Sequence, residues 1–491
     1  MSGTREVLKQ VSIYALASYM TQFLAVIAGI VTRNFLGPYL MGIWSTIQLV
    51  ISYCEYSSLG IDAALSREFP FCIGKGDKEG ANRIRDLVTS FGLVTAAITS
   101  VGILSYILLF GKQWPPYLFW GLFVAPLLLI TQRFSNVMVG WLRASKQFEL
   151  AGAQIVLSGF VNLLLIILLT SQLKFAGFLI AMVLSCFFNV AFLLKKAHFH
   201  FIFRFNREIF RLISFGLPLL ILSIFFDLLR SIDKIFVIRY LGFEQMGIYG
   251  VATMATVLAT KIPDSIVIIL IPHFHEKFGE REEARDLKRL VDRSASAYSL
   301  IMPLVIGTAW IFSSLFVTYF LPKFTAAVSS MKLLLLSTYF FALFYPYSNF
   351  LIAIKRHLIL FPIIAFTLFV QVFFTFFVIK SGFGLNGVAS VAIFCYFLNF
   401  FWLFVIAARF LYNAKEALMK FFFLASFFIA LAVILTCLDR WCVMASLMQQ
   451  TILQLSLFFL SSIPIFILLE REFGALGHIL DFLTRDKKRA I

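Results

Sequence analysis

Leu36-Gly37-Pro38-Tyr39-Leu40-Met41-Gly42-Ile43-Trp44 and Leu241-Gly242-Phe243-Glu244-Gln245-Met246-Gly247-Ile248-Tyr249 are two versions of one segment, 205 residues apart. Further matches keep the order and nearly the spacing. Phe134-Ser135-Asn136 answers Tyr347-Ser348-Asn349 at an offset of 213, and Gly177 and Asn189 answer Gly387 and Asn399 at 210. Three anchors in one order at almost one offset mark an internal duplication, where any single anchor would be weak.

The chain around these anchors is apolar. About fourteen stretches of roughly twenty residues succeed one another, each long enough to cross a bilayer. They fall at 11–35, 40–64, 87–110, 117–140, 153–171, 175–195, 212–238, 245–270, 294–320, 329–352, 360–380, 386–409, 418–437 and 449–470. Hydrophobic residues make up 61% of the chain and charged residues 14%, with a mean hydropathy of +0.92. A soluble domain carries nearer one quarter charged residues, so that class is excluded. The first stretch is too long for the core of a signal peptide and opens a series of similar spans.

The expected fold is therefore an all-α polytopic membrane protein with about fourteen transmembrane helices. The repeat pairs span 1 with 7, 2 with 8, 4 with 10 and 6 with 12, and a shift of six spans makes both halves cross in the same sense. Two parallel six-helix lobes related by a pseudo-twofold axis are expected, at 1–200 and 201–414. Helices 13 and 14, at 415–472, are an addition, and 473–491 is a basic tail. Duplication also builds channels and scaffolds, so the repeat argues for a two-lobed body more strongly than for transport.

The 42 Lys and Arg give a net charge of +17 and are unevenly placed. The N-terminus, the even-numbered loops and the tail hold about 30 of them and the odd loops about nine, which sets both termini in the cytoplasm. Lys75, Lys78, Arg83 and Arg85 form one such basic loop, and Arg281, Arg285, Lys288, Arg289 and Arg293 another. Residues placed this way signal topology and meet anionic membrane lipids, and do not suggest nucleic-acid binding. The run Arg485-Asp486-Lys487-Lys488-Arg489 reads as a positive-inside tail in preference to a lipid-docking site. The six Cys are scattered and mostly within spans; only Cys437 and Cys442 lie where a disulfide could form. His273-Phe274-His275-Glu276 lacks a third ligand cluster and reads as a solvated helix end, so neither metal nor cofactor is expected.

A few charges do not suit a membrane. At about 1.5 Å per residue, Asp227 lies roughly 22 Å into span 7, with Arg230 one turn further and Lys234 one turn beyond that, all on one face. Asp233 and Lys234 approach the outer interface. Arg133 stands about 24 Å from the outer end of span 4. Lys261 and Asp264 are similarly deep in span 8, and Glu55 occupies the corresponding place in span 2. Isolated charges in hydrocarbon are costly, so these side chains should face a polar cavity or one another. Asp227 with Arg230, and Lys261 with Asp264, can be read as internal pairs that only lock helices. Arg133 has no acidic neighbour in its own span and is the stronger candidate for a substrate anion. Arg33 and Lys234 lie near outer ends, where snorkelling explains them equally well. Asp62, Arg67 and Glu68 mark the inner mouth of span 2, as a salt-bridged gate or a solvated end. Lys332 enters span 10 from outside and is expected to snorkel. The deep charges lean cationic, and Arg suits the oxygens of a pyrophosphate.

With these residues in place, the chain resembles the polysaccharide-transporter branch of the multidrug/oligosaccharidyl-lipid/polysaccharide (MOP) flippase superfamily. Arg33-Asn34-Phe35-Leu36-Gly37-Pro38, Gly42-Ile43-Trp44, Leu59-Gly60-Ile61 and Ser66-Arg67-Glu68-Phe69-Pro70 carry the likeness in the first half. Asp233-Lys234 ahead of Leu241-Gly242 and Gly247-Ile248-Tyr249 carries it in the second. The resemblance implies an O-antigen-type flippase of the bacterial inner membrane. It would move an undecaprenyl-pyrophosphate-linked oligosaccharide to the periplasmic leaflet by alternating access through a cationic central cavity. Proton or sodium coupling and polysaccharide-assembly partners go with that reading. From depth and charge, Arg133, Arg230, Lys261, Arg33 and Lys234 are candidate substrate contacts. Asp227, Asp264, Glu55, Asp62, Asp233, Arg67 and Glu68 are candidates for ion coupling or gating. A lipid II flippase and a cation-coupled drug antiporter are the alternatives within the superfamily; the basic lean of the deep charges disfavours the second. A membrane polymerase or ligase would need a large outer loop, whereas the odd loops are about ten residues or fewer, and no enzymatic motif is found, so no enzyme is expected.

Overall fold

The computed structural model describes residues 2–197, 199–281 and 283–473. The tail run at 485–489 and the side chains of His275 and Glu276 lie outside the described residues. Fifteen helices follow in order: α1 Ser2–Cys54, α2 Ile61–Gly74, α3 Lys78–Phe110, α4 Pro116–Ala144 and α5 Phe148–Leu165. Then come α6 Ser171–Ala197, α7 Glu208–Leu229, α8 Ile232–Phe236, α9 Gly242–Arg281 and α10 Lys288–Phe320. The last five are α11 Ala327–Ala353, α12 Leu360–Lys380, α13 Gly384–Leu411, α14 Ala414–Trp441 and α15 Leu447–Phe473. Among the described residues there is no strand.

Among the described residues, ten helical stretches are long and apolar enough to cross a membrane. Two of them, Leu16–Ser58 and Phe148–Ala197, run to 43 and 50 residues and are too long for one crossing. Each contains a break, at Gly37 (φ 73°, ψ 178°) in the first and Lys174 (φ 49°, ψ −125°) in the second. Gly177 then lies against the backbone of Leu169, which a straight helix would hold about 12 Å away, so the chain has reversed at the break. Read this way, the ten stretches contain twelve of the expected spans, and the other two fall in α9 and α15. The chain is a multi-pass, all-helical membrane protein.

The duplication is visible in the backbone. Gly242 (φ 87°, ψ 177°) repeats the conformation of Gly37, a left-handed φ that favours glycine in both Leu-Gly pairs. Gly387 lies against the Val378 side chain, nine residues back, much as Gly177 lies against the Leu169 backbone, eight residues back. A further match escaped sequence comparison. α4 ends with Lys146 at φ 61° and α11 with Lys355 at φ 61°. Around them Ser145, Lys146 and Gln147 donate to the carbonyls of Trp141, Arg143 and Leu142, while Ile354, Lys355 and Arg356 donate to those of Phe350, Ile352 and Leu351. These are the same helix-ending bonds on different side chains.

The chain forms two compact units, Met1–Ile224 and Phe225–Ile491. In the first, α1 packs on α5, and α3 on α2 and α4. Ile61, Leu65 and Phe69 of α2 share a core with Leu87 and Phe91 of α3 and Leu212 of α7. α2 crosses α7 at two glycines, where a Cβ on Gly60 would fall 2.6 Å from the carbonyl carbon of Gly216. In the second unit α11 is the hub, packed on α9, α10 and α13 and buried along most of its length.

α14 and α15 dock on α10 within that second unit, and polar bonds secure α14 near both its ends. Lys420 pairs with Asp292 at 3.1 Å while Tyr412 donates to the same carboxylate at 2.7 Å. At the other end Asp439 accepts from Lys332 at 2.6 Å and from Trp310 Nε1 at 3.0 Å. Lys332, expected to snorkel, thus meets a carboxylate from a neighbouring helix. Cys437 and Cys442 are both free thiols.

Gly60→Ala should lower stability by about 2 kcal/mol or more, because the methyl meets backbone and the residue's φ is +77°. A fall in the thermal-unfolding midpoint of the purified protein checks this, and an unchanged midpoint contradicts the close crossing.

Candidate functional site

The second span does not run through as one helix. It ends at Cys54, passes through a short turn Glu55–Ser58, and restarts at Ile61 after Leu59 (φ 51°) and Gly60 (φ 77°). Carbonyls freed by such a break need donors, since lipid supplies none. Arg133, from α4, supplies them. Its Nη2 donates to the carbonyls of Cys54, at 3.4 Å, and Glu55, at 2.5 Å, and to Ser57 Oγ at 3.3 Å. Its Nε faces the Glu55 carboxylate at 3.4 Å and its Nη1 the Asp62 carboxylate at 3.5 Å. The side chain is 1% exposed, and its stem runs past Gly92, where a Cβ would stand 3.6 Å from Arg133 Cδ.

This changes the reading of Arg133. It lacks an acidic neighbour in its own span, as the sequence indicates, yet two carboxylates and two carbonyls from the broken span converge on it. A planar cation with five donors fits that task, and Lys would not. The cluster of Arg133, Glu55 and Asp62 carries one negative charge in excess when both acids are ionised. One oxygen of each acid, Glu55 Oε1 and Asp62 Oδ1, is buried without a hydrogen-bond partner among the described residues.

The second cluster lies at another broken span. α7 stops at Leu229 and α8 restarts at Ile232, with Arg230 and Ser231 in the turn between them. Ser231 Oγ donates to the Asp227 carbonyl there. The Arg230 guanidinium stacks on Phe341 at 4.4 Å and donates to Tyr345 Oη at 3.4 Å. Tyr345 in turn donates to Asp264 of α9. Tyr345 therefore links the cation of one deep pair to the acid of the other. Arg230, Asp227 and Lys261 are exposed and Asp264 is half-buried.

Asp233 is buried inside the unit, 6% exposed. It accepts from Tyr249 Oη at 2.6 Å and from the backbone N–H of Lys234 at 2.8 Å. The second-half anchor segment ends on Tyr249, so the motif is tied to span 7 through this acid. Arg33 donates to the Gly29 carbonyl of its own helix at 3.1 Å. Arg67 stacks on Phe215 at 4.4 Å and lies 4.0 Å from Glu68, its neighbour in sequence. Neither contact reaches the two clusters. Tyr345, Phe341, Ser57 and Tyr249 were not legible as site residues, although Tyr345 precedes Pro346 beside the Tyr347-Ser348-Asn349 anchor.

Comparison with known proteins agrees with this architecture. Residues 85–329 match a family described as "Polysaccharide biosynthesis protein". Among curated proteins no sequence relative is found. The fold is similar to an inward-facing multidrug resistance MATE family transporter of the MOP superfamily: TM-score 0.60 and 18% identity over 81% of this chain and 94% of that one. It is similar also to an outward-facing MATE transporter, at 0.59 and 16% over 82% and 96%. A MOP superfamily transporter from Pyrococcus furiosus, described as having a binding pocket of reverse polarity that suggests a different function, matches at 0.53 and 17% over 82% and 92%. At such identities the likeness is one of fold. The family match takes in about half of the chain, and the fold is one it shares with transporters of the MOP superfamily.

Arg133→Ala should cost about 3–5 kcal/mol, because it leaves Glu55, Asp62 and the carbonyls at the break without a cation. Arg133→Lys should recover only part of that loss. Thermal unfolding in detergent measures both, and a wild-type midpoint for Arg133→Ala would exclude the structural role.

Proposed function

We propose that this protein is a flippase that carries a lipid-linked oligosaccharide, joined to its polyprenyl chain by pyrophosphate, from the cytoplasmic to the periplasmic leaflet by alternating access. The observation behind this reading is the exposed guanidinium of Arg230 at a helix break, set beside Tyr345 and Asp264. A cation held by one ring and one hydroxyl keeps donors available for phosphate oxygens. The polysaccharide family match supports the same substrate class.

In this reading Arg230 is the principal headgroup contact, and Lys261, exposed on α9, adds charge. Arg133 moves from substrate ligand to fastener of the second span. The excess negative charge on Glu55 and Asp62 makes that pair the candidate for coupling to a proton or sodium ion, and Asp264 acts on Arg230 through Tyr345. Lys234 and Arg33 serve as outer-end cations, while Asp227, Asp233, Arg67 and Glu68 have supporting roles. A bacterial inner membrane with both chain ends in the cytoplasm suits the charge pattern. Anionic lipids and polysaccharide-assembly proteins are the partners that go with it.

The MATE-like fold keeps a cation-coupled drug antiporter as the second reading. Proteoliposomes loaded with a fluorescent undecaprenyl-pyrophosphate oligosaccharide separate the two by lectin access. The flippase reading expects protein-dependent flipping that falls at least ~10-fold in Arg230→Ala with normal insertion and thermal stability, since a charge-assisted contact to phosphate is lost. Drug-driven proton or sodium exchange without any flipping would favour the antiporter.

A further inference from the structure

The duplication extends to a polar pair outside its anchors. Asp86 and Ser90 of α3 correspond to Asp292 and Ser296 of α10, at an offset of 206. In the second unit one cation serves the pair. Lys420 Nζ lies 3.1 Å from the Asp292 carboxylate and donates to Ser296 Oγ at 3.4 Å, and its side chain is 11% exposed. In the first unit two cations meet one buried carboxylate. Arg85 takes Asp86 Oδ1 through Nε at 3.1 Å and Nη2 at 2.8 Å. Ser90 accepts the backbone N–H of Arg204 at 3.0 Å, but the Arg204 guanidinium stops 3.9 Å from Asp86 Oδ2, beyond hydrogen-bond reach, and is 45% exposed. One turn back on α3, Arg83 shares Glu208 with Arg211, at 3.2 and 3.0 Å. Four guanidiniums against two carboxylates leave two positive charges in excess.

Arg204 belongs to the segment 199–206, which joins α6 to α7 without helix or strand. Phe199 is buried, its ring 5.2 Å from that of Trp141, and fixes the start of the segment. The side chains that follow turn outward: Ile202, Phe203 and Phe205 are each at least 60% exposed. Because α6 and α7 both cross the membrane, the segment between them lies at its surface, on the strongly basic side of the chain. Apolar side chains there enter the boundary between headgroups and acyl chains, and a guanidinium among them stays level with the phosphates. A soluble anion would satisfy Arg204 and leave the apolar side chains in water. A zwitterionic lipid would cover those side chains and bring no net charge to the excess cations. We infer that residues 202–205, with Arg204 at their centre, form a binding site for an anionic phospholipid. The site is separate from Arg230 and does not depend on the flippase reading.

Native mass spectrometry of the purified full-length protein, titrated in detergent with phosphatidylglycerol or phosphatidylcholine, tests the site. The wild type should retain phosphatidylglycerol in preference. Arg204→Gln should weaken that retention about fivefold, the worth of one basic residue at an anionic membrane surface. Phe203→Ser, which leaves every ion pair in place, should weaken it as well and carries the test where Arg204→Gln does not fold. Three results overturn the inference: equal retention of the two lipids by the wild type, full phosphatidylglycerol retention in either folded variant, or displacement of the lipid by soluble glycerol phosphate.

Discussion

The packing of the first unit depends on one guanidinium. A transmembrane helix cannot stop in mid-span unless something inside the protein takes up the backbone groups it frees, because hydrocarbon offers no partner. Arg133 does so for the Cys54 and Glu55 carbonyls and gathers the Glu55 and Asp62 carboxylates as well. With those groups satisfied, the chain can turn at Leu59-Gly60 and start α2 in a new direction. That turn allows the backbone of Gly60 to rest on Gly216 and places Ile61, Leu65 and Phe69 in the shared core. Four features, from the break to the crossing with α7, follow from a single buried charge.

The second unit solves the related problem differently. Its duplicated counterpart of the broken span, α9, runs unbroken from Gly242 to Arg281. The interruption falls instead in the preceding span, between Leu229 and Ile232, and the arginine there stays exposed. Two halves that began as copies have therefore specialised. One break is closed by an arginine from elsewhere, and the other presents its own arginine. This asymmetry separates a cation enclosed by carbonyls and carboxylates from one left exposed, a distinction that depth alone does not make.

Much of the architecture was legible in the sequence. Span length and the Leu-Gly anchors carry enough information to give an all-helical polytopic chain with a duplicated core, because hydrophobic length and glycine conformation are local properties. The site was legible only in part. Charges at depth could be found by counting residues from the span ends, and Arg133, Arg230, Asp264 and Glu55 all proved to lie in the two clusters. Their partners could not be found, because each contact joins residues far apart in the chain: Arg133 meets Asp62, Tyr345 meets Asp264, and Lys332 meets Asp439. The partner of Asp233 was hidden for the same reason, since only the fold brings Tyr249 to it.

The most direct measurement is an electron cryomicroscopy structure of the protein in nanodiscs with a pyrophosphate-linked oligosaccharide lipid bound. The account predicts headgroup density in contact with Arg230, while Arg133 remains on the carbonyls of Cys54 and Glu55. Headgroup density on Arg133, with those carbonyls released and Arg230 untouched, would contradict it.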